Sequence, residues 1–334
     1  MSHPHPPASV RPAHTAVLQV ENLQTHFLTR QGVVKAVDGV SFSLERGRVL
    51  GLVGESGSGK SITGLSIMGL IDPPGVRAGG RIVLNGQDLS KATEAQWRHL
   101  RGNRMAMIFQ DPMVTLNPVL RIDTQMIEAV QAHESVSRAE AVRRCREALV
   151  KVGIAAPDER LVAYPHEFSG GMRQRMAIAI ALLHRPDVII ADEPTTALDV
   201  TIQGQILFQM QTLCRETGTA LIWITHDLSV VAGLADEVAV MYAGRIVEHG
   251  STAQVLEKAQ HPYTRGLIGS VPSRHERGSR LQQIPGLAPS GHSRPAGCAF
   301  MPRCARASDE CKQMPQWVVH AQGHRLACHH PHDL

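Results

Sequence analysis

No stretch of this chain approaches the roughly 20 consecutive apolar residues that a membrane-crossing helix requires. The best candidate, Met176 to Ala191, is broken by His184, Arg185, Pro186 and Asp187. Residues 1–15 are rich in proline and histidine and lack the apolar core of a secretory leader, so they read as a disordered tail. These absences predict a cytosolic protein that reaches a membrane only through a partner. Aromatic residues are few, at 4%, and are not interleaved with basic residues, which speaks against nucleic acid as a partner. The sequence also lacks a flavin motif, a sustained heptad run and a close-spaced CxxC pair.

What remains is enough for a large core. Hydrophobic residues make up 43% of 334 positions, which allows one large domain or two smaller ones. The net charge of +4 is unevenly placed: residues 272–334 carry eight Lys/Arg against four acids, and the remainder balances 26 against 26. Four of the six cysteines lie in the same stretch. In a cytosolic chain such a cluster suggests a metal site before disulfides. Ala16–Val20 and Val40–Leu44 read as strands of an antiparallel β-subdomain. Ser137–Glu140 has the capping-box form, and Ala141, Val142, Cys145, Ala148, Leu149 and Val152 follow at helical spacing. Residues 111–168 are therefore expected to be mainly helical, and Pro272–Pro295 to be a linker.

The run Gly54, Glu55, Ser56, Gly57, Ser58, Gly59, Lys60, Ser61 has the form GxxxxGK[ST]. It follows an apolar strand candidate, Val49–Val53, and precedes a helix candidate from Ile62. A phosphate-binding P-loop needs that strand–loop–helix context. Its glycines let backbone N–H groups curl around phosphates, and the helix N-terminus adds positive potential. Lys60 is expected to reach the β- and γ-phosphate oxygens and Ser61 to ligate Mg²⁺. The motif predicts a nucleoside-triphosphate site.

Further along, the strand candidate Val188–Ala191 ends in Asp192 and Glu193. Asp192 is expected to hold Mg²⁺ and Glu193 to act as general base toward the attacking water. His226 follows the strand candidate Ala220–Ile224, and Gln110 follows Met107–Phe109; both are polar groups suited to a γ-phosphate. Ser169, Gly170 and Gly171 open another helical run, where a serine cap and two glycines make a second anion cradle. One γ-phosphate does not need two cradles in one chain, so the second is expected to serve a nucleotide held by a different subunit.

In order and spacing, these segments resemble the ATPase subunits of ABC transporters over about residues 16–330. The resemblance implies an α/β fold: a P-loop ABC ATPase with an antiparallel β-subdomain, a RecA-like core, a helical subdomain and a small C-terminal metal-stapled extension. It makes residues 16–271 the nucleotide-binding domain and 272–334 a linker plus cysteine-rich domain. It makes Gly54–Ser61 the Walker A motif, Gln110 the Q-loop residue and a further Mg²⁺ ligand, and Ser169–Gly171 the signature. Asp192 and Glu193 become Walker B with its catalytic glutamate, Asp199 the D-loop residue, and His226 the switch histidine acting beside Lys60. Phe27 is the candidate to stack on adenine. The stretches Met107–Met113, Thr115–Pro118, His261–Thr264 and Gly297–Cys304 resemble peptide-importer ATPases of the dipeptide and oligopeptide permease type.

The resemblance implies ATP hydrolysis that powers import of short peptides, at the cytoplasmic face of the inner membrane. Nickel and glutathione importers share the architecture, and a soluble ABC ATPase is the competing class. The implied partners are a homologous second ATPase in a head-to-tail dimer, two membrane permease subunits and an extracytoplasmic substrate-binding protein. The cysteines Cys298, Cys304, Cys311 and Cys328 are spaced C-x5-C-x6-C-x16-C. Four thiolates suit tetrahedral zinc or a cubane iron–sulfur cluster, and the resemblance implies 4Fe–4S. His324, His329 and His330 read as solvated, and Cys145 and Cys214 as core thiols.

Overall fold

A computed structural model of the chain describes residues 16–196, 198–271, 283–289 and 291–333. The proposed tail 1–15, Ala197 and linker residues 272–282 and 290 lie outside the described residues. Among the described residues, no helix is long and apolar enough to cross a membrane.

Val49–Val53, Val188–Asp192 and Ala220–Thr225 are buried at every position. Such continuous apolar strands can only lie in a sheet covered on both faces. They pair in parallel, with Val49–Val53 at the centre between Glu237–Tyr242 and Ala220–Thr225, followed by Val188–Asp192 and Met105–Ile108. On the other side Arg245–Ser251 turns back antiparallel against Glu237–Tyr242. A second sheet is antiparallel, in the order Gly32–Leu44, Leu18–Thr29, Gly75–Leu84, Gln87–Asp88. It shares a core with the parallel sheet through Val20, Val40, Leu52, Ile190 and Ile224.

The middle is helical, with Ile122–Gln131, Arg138–Lys151 and Pro157–Leu161 packed against the long helix Gly170–Leu182. At Ser137 only half of the expected capping box forms. Ser137 accepts from the Glu140 amide, but the Glu140 carboxylate turns to Arg143 and Arg144 instead of back to the cap. Two guanidiniums outcompete one neutral amide. Gly153 ends that helical turn in the left-handed region, at φ 71°. Cys145 and Cys214 are core thiols as expected, their pKa values pushed up by burial to about 11 and about 12.

The C-terminal region is sewn onto this body. Arg325–Leu326 pairs with Glu248 and His249, and Val318–Val319 adds the outermost strand. Phe300 enters the core beside Tyr242 and Tyr263, with ring centroids 5.3 and 5.4 Å away. His324 corrects its expectation: it is buried, and its Nε2 lies 2.9 Å from Oε1 of Glu248. The reason is Glu248 itself, which is fully buried and also accepts from the amides of Gln260 and His261. A buried carboxylate needs donors on every side, and strand pairing delivers His324 as one of them.

His261 caps the helix Pro262–Gly269 by accepting at Nδ1 from the Tyr263 amide. Burial drives its pKa down to about 4, against the pull of Glu248 and with the push of His332. The folded form therefore keeps His261 neutral while the unfolded chain protonates near its ordinary value. Its share of stability is complete above about pH 6.5 and is lost as pH falls toward 4, by about 3 kcal/mol. His261→Asn keeps a capping acceptor and should remove that share of the acid-side loss in urea unfolding between pH 7 and 4. An unchanged pH slope in the variant would show that His261 does not titrate.

Candidate functional site

The strand Val49–Val53 delivers the chain into residues 54–59, and the helix Lys60–Ile67 carries it away. Gly54, Gly57 and Gly59 all have positive φ, at 151°, 76° and 102°. Two of them also approach neighbours closely: a Cβ on Gly54 would stand 2.2 Å from the Met241 carbonyl, and one on Gly59 2.4 Å from that of Ala36. Only glycine satisfies both constraints. Ser58 is buried and its hydroxyl has no protein partner.

Around the loop lies a cavity of about 340 Å³ that brings together Ser56, Gly57, Gly59, Lys60, Ser61, Gln110 and Glu193. Lys60 is buried, its Nζ donating to the carbonyls of Gly54 (2.8 Å) and Glu55 (3.1 Å). Burial lowers its pKa, opposed by Glu193, Asp192 and Glu55. The Ser61 hydroxyl donates to Asp192 Oδ1 at 2.9 Å. Burial raises the Asp192 pKa, with Ser61 opposing and Glu193 adding to the rise. A hydroxyl and a buried carboxylate facing each other are the hard oxygens a Mg²⁺ ion selects.

Glu193 holds φ 46° and donates its amide to Ile224, while its carboxylate takes Thr196 Oγ1 at 3.1 Å and lies 3.2 Å from His226 Nδ1. A non-glycine residue in that region is strained, and strain of this kind gathers at working sites. Glu193 and Lys60 line the same cavity, and the Glu193 charge favours the protonated lysine.

Ser169, Gly170 and Gly171 stand apart from this cavity. Ser169 caps the helix Gly170–Leu182 by accepting from the Met172 amide. With Leu198, Asp199 and Ile202 the three residues line a separate open cavity of about 630 Å³. Asp199 also caps its own helix, accepting from Ile202. The two expected cradles thus exist on different surfaces.

Phe27 lies on the strand Leu18–Thr29 with its ring against Gly75, where even a Cβ would come within 2.9 Å of it. The strand register pairs Phe27 with both Val34 and Gly75, and the sheet turns the ring to the Gly75 side. Of the four cysteines, Cys328 feels the thiols of Cys298, Cys304 and Cys311 electrostatically and Cys298 those of Cys311 and Cys304, and Cys298 donates its amide to the Cys311 carbonyl at 2.9 Å. Among the described residues no group of three or more His, Cys, Asp or Glu stands close enough together to hold a single metal ion. Strand pairing, aromatic packing and buried ion pairs join the extension to the body.

Sequence reasoning missed Arg303, Tyr263 and Arg294, which reach the loop and its surroundings from the C-terminal region. Tyr263 and Arg303 lie inside stretches the resemblance singled out, but their partner Glu55 is 208 and 248 positions away, and Asp38, a partner of Arg294, is 256 away, so local pattern did not show these contacts.

The chain is 44% identical over 319 residues to the dipeptide transport ATP-binding protein DppD of Escherichia coli, covering 95% of this chain and 98% of that protein. The ABC transporter family model matches residues 37–196. This chain belongs to the ABC transporter ATP-binding family. As an ABC ATPase it is also 49% identical over 320 residues to a probable peptide ABC transporter ATP-binding protein of Sinorhizobium fredii, covering 95% of this chain and 96% of that one. A model of the oligopeptide/dipeptide transporter C-terminal region matches residues 247–311. Among solved structures, a dimeric ATP-binding cassette in a post-hydrolysis state with ADP and Pi superposes with a TM-score of 0.63 at 23% identity, over 70% of this chain and 98% of that one. That likeness shows the fold.

Gly59→Ala tests the loop geometry directly. The methyl meets the Ala36 carbonyl, and alanine is strained at the positive φ this position holds, so the variant should lose about 2 kcal/mol or more in urea unfolding. A variant as stable as the parent would show that the loop does not hold this conformation.

Proposed function

We propose that this chain is the ATP-hydrolysing subunit of an importer of dipeptides or other short peptides. The observation that carries the reading is that Lys60, Ser61 and Glu193 line one cavity, with Asp192 hydrogen-bonded to Ser61 behind it. Relatives named as dipeptide and oligopeptide transport ATP-binding proteins, at 44–49% identity over most of the chain, support the substrate class. The basal chemistry is the same for a nickel or glutathione importer, but none of the relatives compared above carries either name.

In this reading the N–H groups of residues 54–61 cradle the phosphates and Lys60 neutralises the β/γ oxygens. Bound Mg²⁺ supplies Lewis-acid polarisation of the phosphate oxygens; Ser61 and Asp192 are the residues to hold it, with Gln110 alongside. Glu193 takes a proton from the attacking water, and His226, hydrogen-bonding distance from its carboxylate, orients that base. Ser169, Gly170 and Gly171 offer helix N-terminal N–H groups to a nucleotide on a second ATPase, with Asp199 beside them. A homologous ATPase, two permease subunits and a substrate-binding protein complete the assembly, which places the chain at the cytoplasmic face of the membrane. Residues 16–271 form its nucleotide-binding domain and 272–334 its linker and extension.

Glu193→Gln preserves shape and removes the base. It should bind ATP with an affinity within about threefold of the parent and lose hydrolysis by about 10²-fold or more. Hydrolysis at the parent rate would sink the assignment.

Cys298, Cys304, Cys311 and Cys328 are assigned here to a 4Fe–4S cluster. A cubane spreads its thiolates over four corners instead of gathering them round one ion, which is compatible with four partly buried, mutually interacting thiols. After anaerobic purification, about four irons and four sulfides per chain, lost in Cys→Ser variants, is the expected result. Stoichiometric zinc or no metal would overturn it and leave the ATPase reading intact.

A further inference from the structure

Glu55, the first variable position of the P-loop, is gripped at three points. Its carboxylate takes two parallel bonds from Arg303, Nη1 to Oε2 at 2.6 Å and Nη2 to Oε1 at 3.0 Å. Its amide donates to the Tyr263 hydroxyl at 2.9 Å, and its carbonyl accepts from Lys60. Arg303 is itself fixed. Its side chain is 5% exposed, its Nε donates to the Pro285 carbonyl at 2.8 Å, and its guanidinium lies beside the rings of Tyr242 and Phe300.

A bidentate, aromatic-walled guanidinium is a geometric device more than a source of stability. A buried ion pair seldom stabilises a fold over an apolar pair of the same size. Its value here follows from where the acid stands. A carboxylate within a phosphate-binding loop repels the polyanion the loop has to accept. Turned onto Arg303, it is neutralised and held to the side away from the cavity, which Glu55 does not line.

We propose that Arg303, supplied by the cysteine-rich extension, is a positioning residue of the nucleotide site: it holds the Glu55 carboxylate off the phosphates and so sets the affinity for ATP. The inference rests on the reading that residues 54–61 take the phosphates. It makes the extension a working part of this chain's ATP site.

The test uses the full chain, with steady-state ATPase kinetics, mant-ATP titration and thermal melting. Arg303→Ala leaves the carboxylate free, and KM for ATP should rise about tenfold or more while kcat stays within about twofold. Adding Glu55→Gln to that variant should restore most of the affinity, because the repelling charge is gone. Such non-additivity is the signature of coupling between the two residues. If Arg303→Ala does not fold, Arg303→Lys is read instead: it keeps the charge, loses the fork, and should give an intermediate KM. An unchanged KM in either folded variant, a fall in kcat alone, or losses that add in the double variant would overturn the proposal. Lys60→Ala separates the two readings. Mant-ATP binding undiminished in that variant overturns the P-loop assignment, and with it this inference; binding lost there but unmoved by Arg303 overturns this inference alone.

Discussion

The site exists because three parallel strands end at one edge. Val49–Val53, Val188–Asp192 and Ala220–Thr225 are neighbours or next neighbours in the sheet, and each is buried on both faces. Their register is therefore set by packing and cannot slip without exposing a full row of apolar side chains. That fixed register is what brings Lys60, Asp192 and Glu193 within reach of each other, although 131 positions separate Ser61 from Asp192. The adjacent strand Glu237–Tyr242 adds the Met241 carbonyl that crowds Gly54. The loop is thus shaped from beneath by the sheet, and its glycines are the residues that tolerate being shaped.

A second regularity concerns charge. Three acids of the ATPase body are met by residues of the C-terminal region: Asp38 and Glu55 are paired with Arg294 and Arg303, and Glu248 is hydrogen-bonded by His324. Asp38 also pairs with Arg245, and Arg294 donates to the Ala243 carbonyl beside the P-loop cavity. The basic excess of residues 272–334 therefore includes groups that face inward. Removing one member of such a pair strands a desolvated charge, at a cost of about 3–5 kcal/mol. The extension is tied to the body by these charges, and two of the three lie beside the nucleotide cavity.

What was legible in the sequence followed its local regularity. The P-loop, the buried strands and the acidic strand end at Asp192–Glu193 are each specified by residues within about ten positions, so pattern alone located them. The helix after Ser137 was legible for the same reason, down to Gly153 at its end. Apart from the half-formed capping box at Ser137, what local pattern did not show was long-range. Phe27 stands at a plausible position, but which way its ring turns depends on Gly75 across the sheet. His324 reads as solvated until a strand of the extension pairs beside Glu248. The cysteine spacing shows that four thiols are near in sequence; whether they gather round a single ion depends on how Gly297 lets the backbone run close against Cys311 and Lys312. Arg303 lies inside a stretch the resemblance marked, but its role was not legible there, because its partner stands 248 positions earlier.

The two cradles are separate, yet they share a segment of chain. Glu193 and Asp199 are six positions apart, yet Glu193 lines the P-loop cavity and Asp199 lines the one beside Ser169. Thr196, between them, bonds the Glu193 carboxylate, while Asp199 caps the helix Val200–Thr217. Both cavities therefore draw on the same short stretch that follows the strand Val188–Asp192. Glu193, in its strained backbone conformation, and Asp199, at its helix cap, are the two points at which that stretch is fixed.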